Sequence, residues 1–277
     1  MYKKLNLSVV LFVIAILFAS TINAQWIKGS GEIIEEERTL DSFKSIQNSS
    51  STDVIITQGD NITVIVESDK NLVPHIVTKV IDNNLQIKIE KNYRNVDVVK
   101  IRITMPDLEY IKVSGSGDIS FTDTFKTKNL EVNISGSGDF SGKLDVNRLE
   151  YKVNGSGDGD FSGVTGDLKI SISGSGDIDA SNLRLANCDI KIAGSGDVTI
   201  GGSADNLNLV QSGSGDIDAY QLKAVNVTVK AAGSGDVECY VIEKLNAVTN
   251  GSGDVYYRGD PSAVNANSNG SGEIYKK

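Results

Sequence analysis

Residues 113–121 read Val-Ser-Gly-Ser-Gly-Asp-Ile-Ser-Phe, and the Gly-Ser-Gly-Asp inside them decides the fold because it returns. It begins at Gly115, Gly136, Gly155, Gly174, Gly194, Gly213, Gly233 and Gly251, and closes as Gly-Ser-Gly-Glu at Gly270. The steps are 21, 19, 19, 20, 19, 20, 18 and 19 residues. A fixed period of this size is the mark of a stacked repeat architecture. Gly29-Ser30-Gly31-Glu32 stands apart from the series.

Counting outward from the first glycine exposes columns. Six residues before it stand Leu130, Leu149, Leu168, Cys188, Leu207, Val227, Leu245 and Val264. Four before stand Val132, Tyr151, Ile170, Ile190, Leu209, Val229, Ala247 and Ala266. Two before, Ile134, Val153, Ile172 and Ile192 give way to Gln211, Ala231, Thr249 and Ser268. Four after stand Ile119, Phe140, Gly159, Ile178, Val198, Ile217, Val237, Val255 and Ile274. Residues between the columns are mostly polar, so the period is two and the segments are strands with one buried face. Each repeat is expected to hold one strand before the motif and one after it. Such short strands bury their apolar faces only by stacking on equivalent strands, which must then run parallel. The expected fold is all-β, a right-handed parallel β-helix or β-solenoid of about nine coils, ~19 residues each. At a strand spacing of ~4.8 Å the stack is about 40 Å long. Helical repeats need a spacing of three and four that the columns lack. Leucine-rich repeats need an Asn position and a helical segment.

The motif lies where the chain must turn. Two glycines permit a left-handed backbone and a close approach between coils. The turn residues are therefore Gly115, Gly136, Gly155, Gly174, Gly194, Gly213, Gly233, Gly251 and Gly270. The fourth position makes an acidic column of Asp118, Asp139, Asp158, Asp177, Asp197, Asp216, Asp236, Asp254 and Glu273. Stacked like charges repel, so solvent, turn N–H groups or cations must offset them. The column is a weak candidate for calcium, since each coil supplies one carboxylate and calcium takes six to eight oxygens. No other cofactor is expected. Cys188 and Cys239 fall in apolar columns two coils apart, too distant for a disulfide, and read as small buried hydrophobes. His75, the single histidine, reads as a surface or packing residue.

Residues 25–110 lack the tight repeat but alternate at Ile62-Val64-Val66, Leu85-Ile87-Ile89 and Ile101-Ile103-Met105. Asp82-Asn83-Asn84 reads as a hairpin turn, and Asn71–Lys79 as room for a short helix. This region is expected to cap the repeat over 111–277 and to be continuous with it, so that 25–277 forms one unit. At the other end the cores weaken, and Lys276 and Lys277 guard an exposed edge. Fraying or end-to-end dimerisation is expected there.

Residues 1–24 read as a signal peptide: Lys3 and Lys4, an apolar run over Val9–Ala19, and cleavage between Ala24 and Gln25. The run is short for a bilayer span, so the processed chain is not expected to be integral to a membrane. Losing the two lysines takes the net charge from −9 to −11. Such a surface excludes nucleic acid as a partner. The expected location is exported: periplasm, outer-membrane periphery or secreted.

Phe43-Lys44-Ser45-Ile46, Asp53-Val54-Ile55-Ile56-Thr57-Gln58-Gly59-Asp60, Leu85-Gln86-Ile87, Ile103-Thr104-Met105-Pro106 and the repeated Gly-Ser-Gly-Asp together resemble the putative auto-transporter adhesin head GIN domain family, over about residues 40–260. The resemblance implies an exported β-helical protein of Bacteroidetes-type bacteria, adhesin-like, with no catalytic residues to carry over.

The expectation is therefore a non-catalytic β-solenoid that meets protein or glycan at the cell envelope. An enzyme needs a cleft built by long loops, and steps of 18 to 21 residues leave no room for one. Tyr220, Tyr240, Tyr256, Tyr257 and Tyr275 form the candidate contact patch, ordinary strand tyrosines being the plainer reading. The alternative is a carbohydrate-binding or polysaccharide-processing β-helix.

Overall fold

The computed structural model describes residues 26–277; the signal segment, with Ala24 and Gln25, lies outside the described residues. The columns read from sequence stack in register. Leu149, Leu168, Cys188, Leu207, Val227, Leu245 and Val264 are successive parallel partners. So are Ile119, Phe140, Gly159, Ile178, Val198, Ile217, Val237, Val255 and Ile274. The molecule is a β-solenoid of about nine turns, ~19 residues apart. Its core is one continuous column of buried Val, Ile, Leu, Phe and Ala side chains.

The two expected short strands of neighbouring repeats are joined into one longer one. From one motif to the next the chain is a single bent strand, as in Phe140–Val153, Gly159–Ile172, Ile178–Ile192 and Val198–Gln211. The middle third of each coil also pairs with its neighbours and buries Leu144, Val146, Val164, Leu183, Leu185, Ala204, Leu222, Ala224 and Val241. Register breaks fall in this third, between Lys143 and Val146, Ala180 and Leu183, and Ala219 and Lys223. Bulges there absorb much of the variation in step length. Counting from the motif therefore loses alignment in that third.

The glycines act through only one of their two expected properties. None of the motif glycines has positive φ; the left-handed ones are Gly31, Gly163, Gly166, Gly202 and Gly259. A Cβ on Gly136, Gly155, Gly174, Gly194 or Gly213 would instead lie 1.9 Å from the carbonyl oxygen of the glycine one coil back. Close backbone approach, not turn handedness, excludes every other residue.

The stack reaches upstream of the repeat. Ser45–Asn48 pairs parallel with Tyr110–Val113, and Asp53–Gln58 with Ile119–Phe121. Ser50-Ser51-Thr52-Asp53 occupies this coil's corner, since Cβ atoms on Gly115 and Gly117 would strike the carbonyls of Ser50 and Thr52. Asn84–Ile89 and Val99–Met105 add one further parallel layer. Antiparallel strands then close both sheets: Ile76–Ile81 on Asn84–Ile89, and Thr63–Asp69 followed by Ile33–Arg38 beyond Val99–Met105. The outermost strand carries Glu35, Glu36 and Glu37, which discourage edge pairing. The hairpin turn is at Asp82 and Asn83, both with positive φ. The expected helix over Asn71–Lys79 shrinks to one 3-10 turn at Val73–His75. β-branched Ile76, Val77, Thr78, Val80 and Ile81 favour the strand that replaces its second half. Gly29–Glu32 is no corner; it is a loop in which Gly31 N–H donates to Asp69 Oδ1 at 2.6 Å.

At the opposite end Ala263–Ser268 is exposed along its whole length, and Val264 keeps 46% of its surface. Cys188 and Cys239 are buried and unpaired with each other, and burial pushes both thiols up to about 12.

Candidate functional site: the corner ladder and the cleft at its start

The acidic column forms a hydrogen-bonded ladder. Each Asp N–H donates to Oδ1 of the Asp one coil back: Asp139 to Asp118 at 2.9 Å, Asp158 to Asp139 at 2.8 Å, Asp177 to Asp158 at 2.8 Å, Asp197 to Asp177 at 2.8 Å. Asp216, Asp236, Asp254 and Glu273 continue the series at 2.7–2.8 Å. Asp53, which lacks the Gly-Ser-Gly signature, is its first acceptor, taking the N–H of Asp118 at 3.1 Å. Charge-assisted bonds of this kind are worth about 1.5–3 kcal/mol. Two carboxylates about 5 Å apart in water repel by somewhat under 1 kcal/mol. The turn N–H groups therefore offset the repulsion. Among the described residues, no three His, Cys, Asp or Glu side chains converge as a metal site.

The inside of the corner is polar where the core column weakens. Asn48, Gln211, Thr249 and Ser268 replace the aliphatic residue two before the motif. Gln211 Nε2 donates to Gly213 O at 2.8 Å and Gly215 O at 3.2 Å, while its Oε1 accepts Gly233 N–H at 3.1 Å. Asn48 Nδ2 donates to Thr52 O at 2.7 Å, and Thr249 and Ser268 hydroxyls reach Gly253 O and Gly272 O. These residues spend their polarity on corner carbonyls rather than on a ligand.

A second ladder runs along the next edge: Asn187 donates to Asp167 at 2.9 Å, Asn206 to Asn187 at 3.2 Å and Asn226 to Asn206 at 3.3 Å. Ion pairs join neighbouring coils beside it, Lys152 with Glu131 and Lys169 with Glu150, and Lys152 also pairs with Glu150 of its own strand.

The candidate tyrosines are largely occupied by their own surroundings. Tyr256 and Tyr275 stack at 5.7 Å, and Lys277 lies 3.7 Å over Tyr256. Tyr256 donates to Asp254 Oδ2 at 2.8 Å, which pushes its phenol up to about 12; Glu273 does the same for Tyr275. Arg258 covers Tyr220 at 4.0 Å, and Tyr257 packs half-buried against the core. His75 ends the 3-10 turn, half-buried, its N–H bonded to Leu72 O at 2.8 Å.

A different aromatic site stands where the ladder begins. Trp26, Ser49, Ser50, Ser51, Ile89, Lys91, Asn92 and Tyr93 line a cleft of about 470 Å³ beside the first corner. Tyr93 OH lies 2.5 Å from Ser51 Oγ. Local sequence carries no sign of it beyond the single Trp, because Trp26, the serines at 49–51 and Tyr93 are far apart in the chain. Only pairing of Ile27–Lys28 with Tyr93–Arg94 joins Trp26 to Tyr93.

The sequence matches the family model described as "Putative auto-transporter adhesin, head GIN domain" over residues 42–201 and 191–261. A solved structure from Parabacteroides distasonis, titled a putative lipid binding protein, is similar at 26% identity and TM-score 0.67, covering 91% of this chain and 100% of its own. A putative adhesin from Bacteroides fragilis is similar at 25% identity and TM-score 0.51 with the same coverage. A putative adhesin from Parabacteroides merdae, at 20% identity and TM-score 0.68, shares the fold over 91% of this chain and 100% of its own. No curated protein matches the sequence.

Proposed function

We infer the function from one premise: this chain belongs to the putative auto-transporter adhesin, head GIN domain family. The reading is an exported, non-catalytic adhesin that works as a rigid rod at the cell envelope, with a protein or glycan partner on its outer faces.

The observation that carries it is the regularity of the outer surface. Carboxylates repeat one strand spacing apart from Asp53 to Glu273, and amides do so over Asn187, Asn206 and Asn226, fixed by backbone pairing from coil to coil. A repeating array suits many weak contacts with a repeating partner, and avidity then exceeds any single contact. The strongly perturbed groups have structural explanations. Lys44 is held well above its usual range by Glu109 and Asp107, Cys188 and Cys239 are raised by burial, and Tyr151 is raised by burial in the core.

The test has two parts. Fractionation of producing cells should recover a chain beginning at Gln25 outside the cytoplasm; an unprocessed cytoplasmic chain refutes export. Beads coated with the purified chain should adhere to immobilised cells or glycoconjugates, and should release no fragments from polysaccharides. Depolymerisation of any polymer overturns the non-catalytic reading.

A further inference from the structure

We propose that the cleft beside Trp26 is a saccharide site that takes one pyranose unit of a glycan, with the Trp26 indole as its stacking platform. The inference rests on the adhesin reading only for the biological source of the glycan. The site itself stands on the geometry.

Trp26 is the single Trp of the chain and keeps 54% of its surface exposed, the highest among the exposed large hydrophobic side chains. An indole that costs this much exposure and is not packed away is available to a partner. A pyranose offers a matching surface: one face of C–H groups for the ring, and a rim of hydroxyls. The rim is met by Ser49, Ser51, Asn92 and Tyr93, which together supply hydroxyl and amide groups that both donate and accept. The cleft volume falls within the roughly 300–1,000 Å³ typical of small-molecule sites. Among the described residues Trp26 and Ile89 are the only large aliphatic or indole side chains in the lining, too little apolar surface for a lipid chain. Two larger depressions lack these features: that around Asp107, Glu109, Glu131 and Glu150 is lined by charged side chains with no aromatic ring, and that around Gly163 and Gly202 has none either.

The walls are held in place. Tyr93 is fixed by parallel pairing with Ile27 and by its contact with Ser51. Ser49 sits on the first coil, its N–H bonded to Ile87 O at 2.9 Å and its Oγ accepting from Ser114 at 3.0 Å. The corner below is locked by Asn48 and Ser50, whose side chains bond at 2.8 Å. A preorganised wall spends little binding energy on ordering. Among the described residues the lining contains Lys91 and no carboxylate, on a chain with net charge −9. A uronate should therefore bind more tightly than the neutral pyranose of the same shape.

Because Trp26 is the only indole, its fluorescence reports this cleft alone. The purified chain is titrated with neutral hexose oligosaccharides and with uronate oligosaccharides. The expected result is a saturable emission shift, with the uronate the tighter series and its advantage lost in Lys91→Ala. By calorimetry, Trp26→Ala should weaken binding at least tenfold, Trp26→Phe should retain most of it, and Tyr93→Phe should weaken it several-fold. Unchanged circular dichroism checks that each variant folds. Emission unmoved by every saccharide, or full affinity in Trp26→Ala, overturns the site. If beads still adhere to glycoconjugates in that case, the adhesin reading survives without it. If the emission responds but no surface is bound, the site stands and the adhesin reading falls.

Discussion

The corner third and the middle third of each coil solve the same stacking problem by opposite means. At the corner, backbone meets backbone, and a Cβ on Gly174 would sit 1.9 Å from the Gly155 carbonyl oxygen. In the middle third backbones come this close only at isolated left-handed glycines such as Gly163 and Gly202. Side chains set the spacing elsewhere, and a Cβ on Gly201 would meet Gln221 Cβ at 3.3 Å and Gln221 O at 3.8 Å. The corner therefore tolerates one residue type and keeps strict count. The middle third tolerates many and absorbs length changes through bulges. Identity at the corner and variety beside it are two results of one packing geometry.

The comparison breaks most visibly in a pair of substitutions. Gly174→Ala should cost about 3–5 kcal/mol, the range of severe backbone and packing lesions. Gly201→Ala should stay within about 1 kcal/mol of the parent, since the Gln221 Cβ at 3.3 Å need shift by only a few tenths of an ångström, and alanine also lowers the entropy of the unfolded chain. Urea unfolding of both variants decides the matter. Equal losses would show that the glycines are there for some reason other than coil-to-coil approach.

The next test probes the inside of the corner. Gln211→Ala leaves the carbonyls of Gly213 and Gly215 and the N–H of Gly233 without their side-chain partner, at a cost of about 1–3 kcal/mol. Thr228→Ala, on the outer face of the adjoining coil, should change stability by less than about 0.5 kcal/mol. Thermal melting of the two variants should separate them by several degrees.

The outer ladder comes third. Asp177→Ala removes the acceptor of the Asp197 N–H and should cost about 1 kcal/mol, because water can replace the lost partner at an exposed site. Asp177→Asn keeps an oxygen acceptor and should cost less. Should Asp177→Asn instead stabilise the chain, repulsion along the ladder outweighs its hydrogen bonds. Added calcium should not change this ranking, which thermal melts with and without the ion would check.

These regions also differed in how far they could be read from sequence. Columns counted from Gly-Ser-Gly-Asp landed in register because no insertion separates Leu168 from Gly174 or Gly174 from Ile178. The middle third stayed hidden because Lys143 and Val146, or Ala219 and Lys223, flank breaks in register. Asp53 was hidden for a different reason. Its corner carries Ser50 and Thr52, and only glycine betrays a corner to the eye. With no second corner pressed against it from the N-terminal side, that coil accepts side chains where later coils cannot. The contact-patch reading of the tyrosines missed that Arg258 and Lys277 lie over two of the rings. That arrangement depends on residues 38 and 21 positions away along the chain, and not on local pattern.

The smallest effect concerns charge beside the Asn ladder. Lys169 first, then Lys152, holds the Glu150 carboxyl below its usual range. A depressed folded pKa contributes stability above the unfolded value, near 4.5. That contribution is lost as pH falls through the folded value. Glu150→Gln should therefore lower stability at pH 7 and leave it unchanged at low pH, once Glu150 is protonated in both the folded and the unfolded chain. The difference should be a few tenths to about 1 kcal/mol, because the pair lies at the surface where salt and water screen it. Raising the salt concentration at pH 7 should shrink it further, whereas the Gly174→Ala deficit, being steric, should not respond. A Glu150→Gln deficit that persists at low pH would mean that its side chain packs between coils rather than pairing charges. The edge of the rod would then resemble the corner, where shape decides, and not the screened surface that the ion pairs describe.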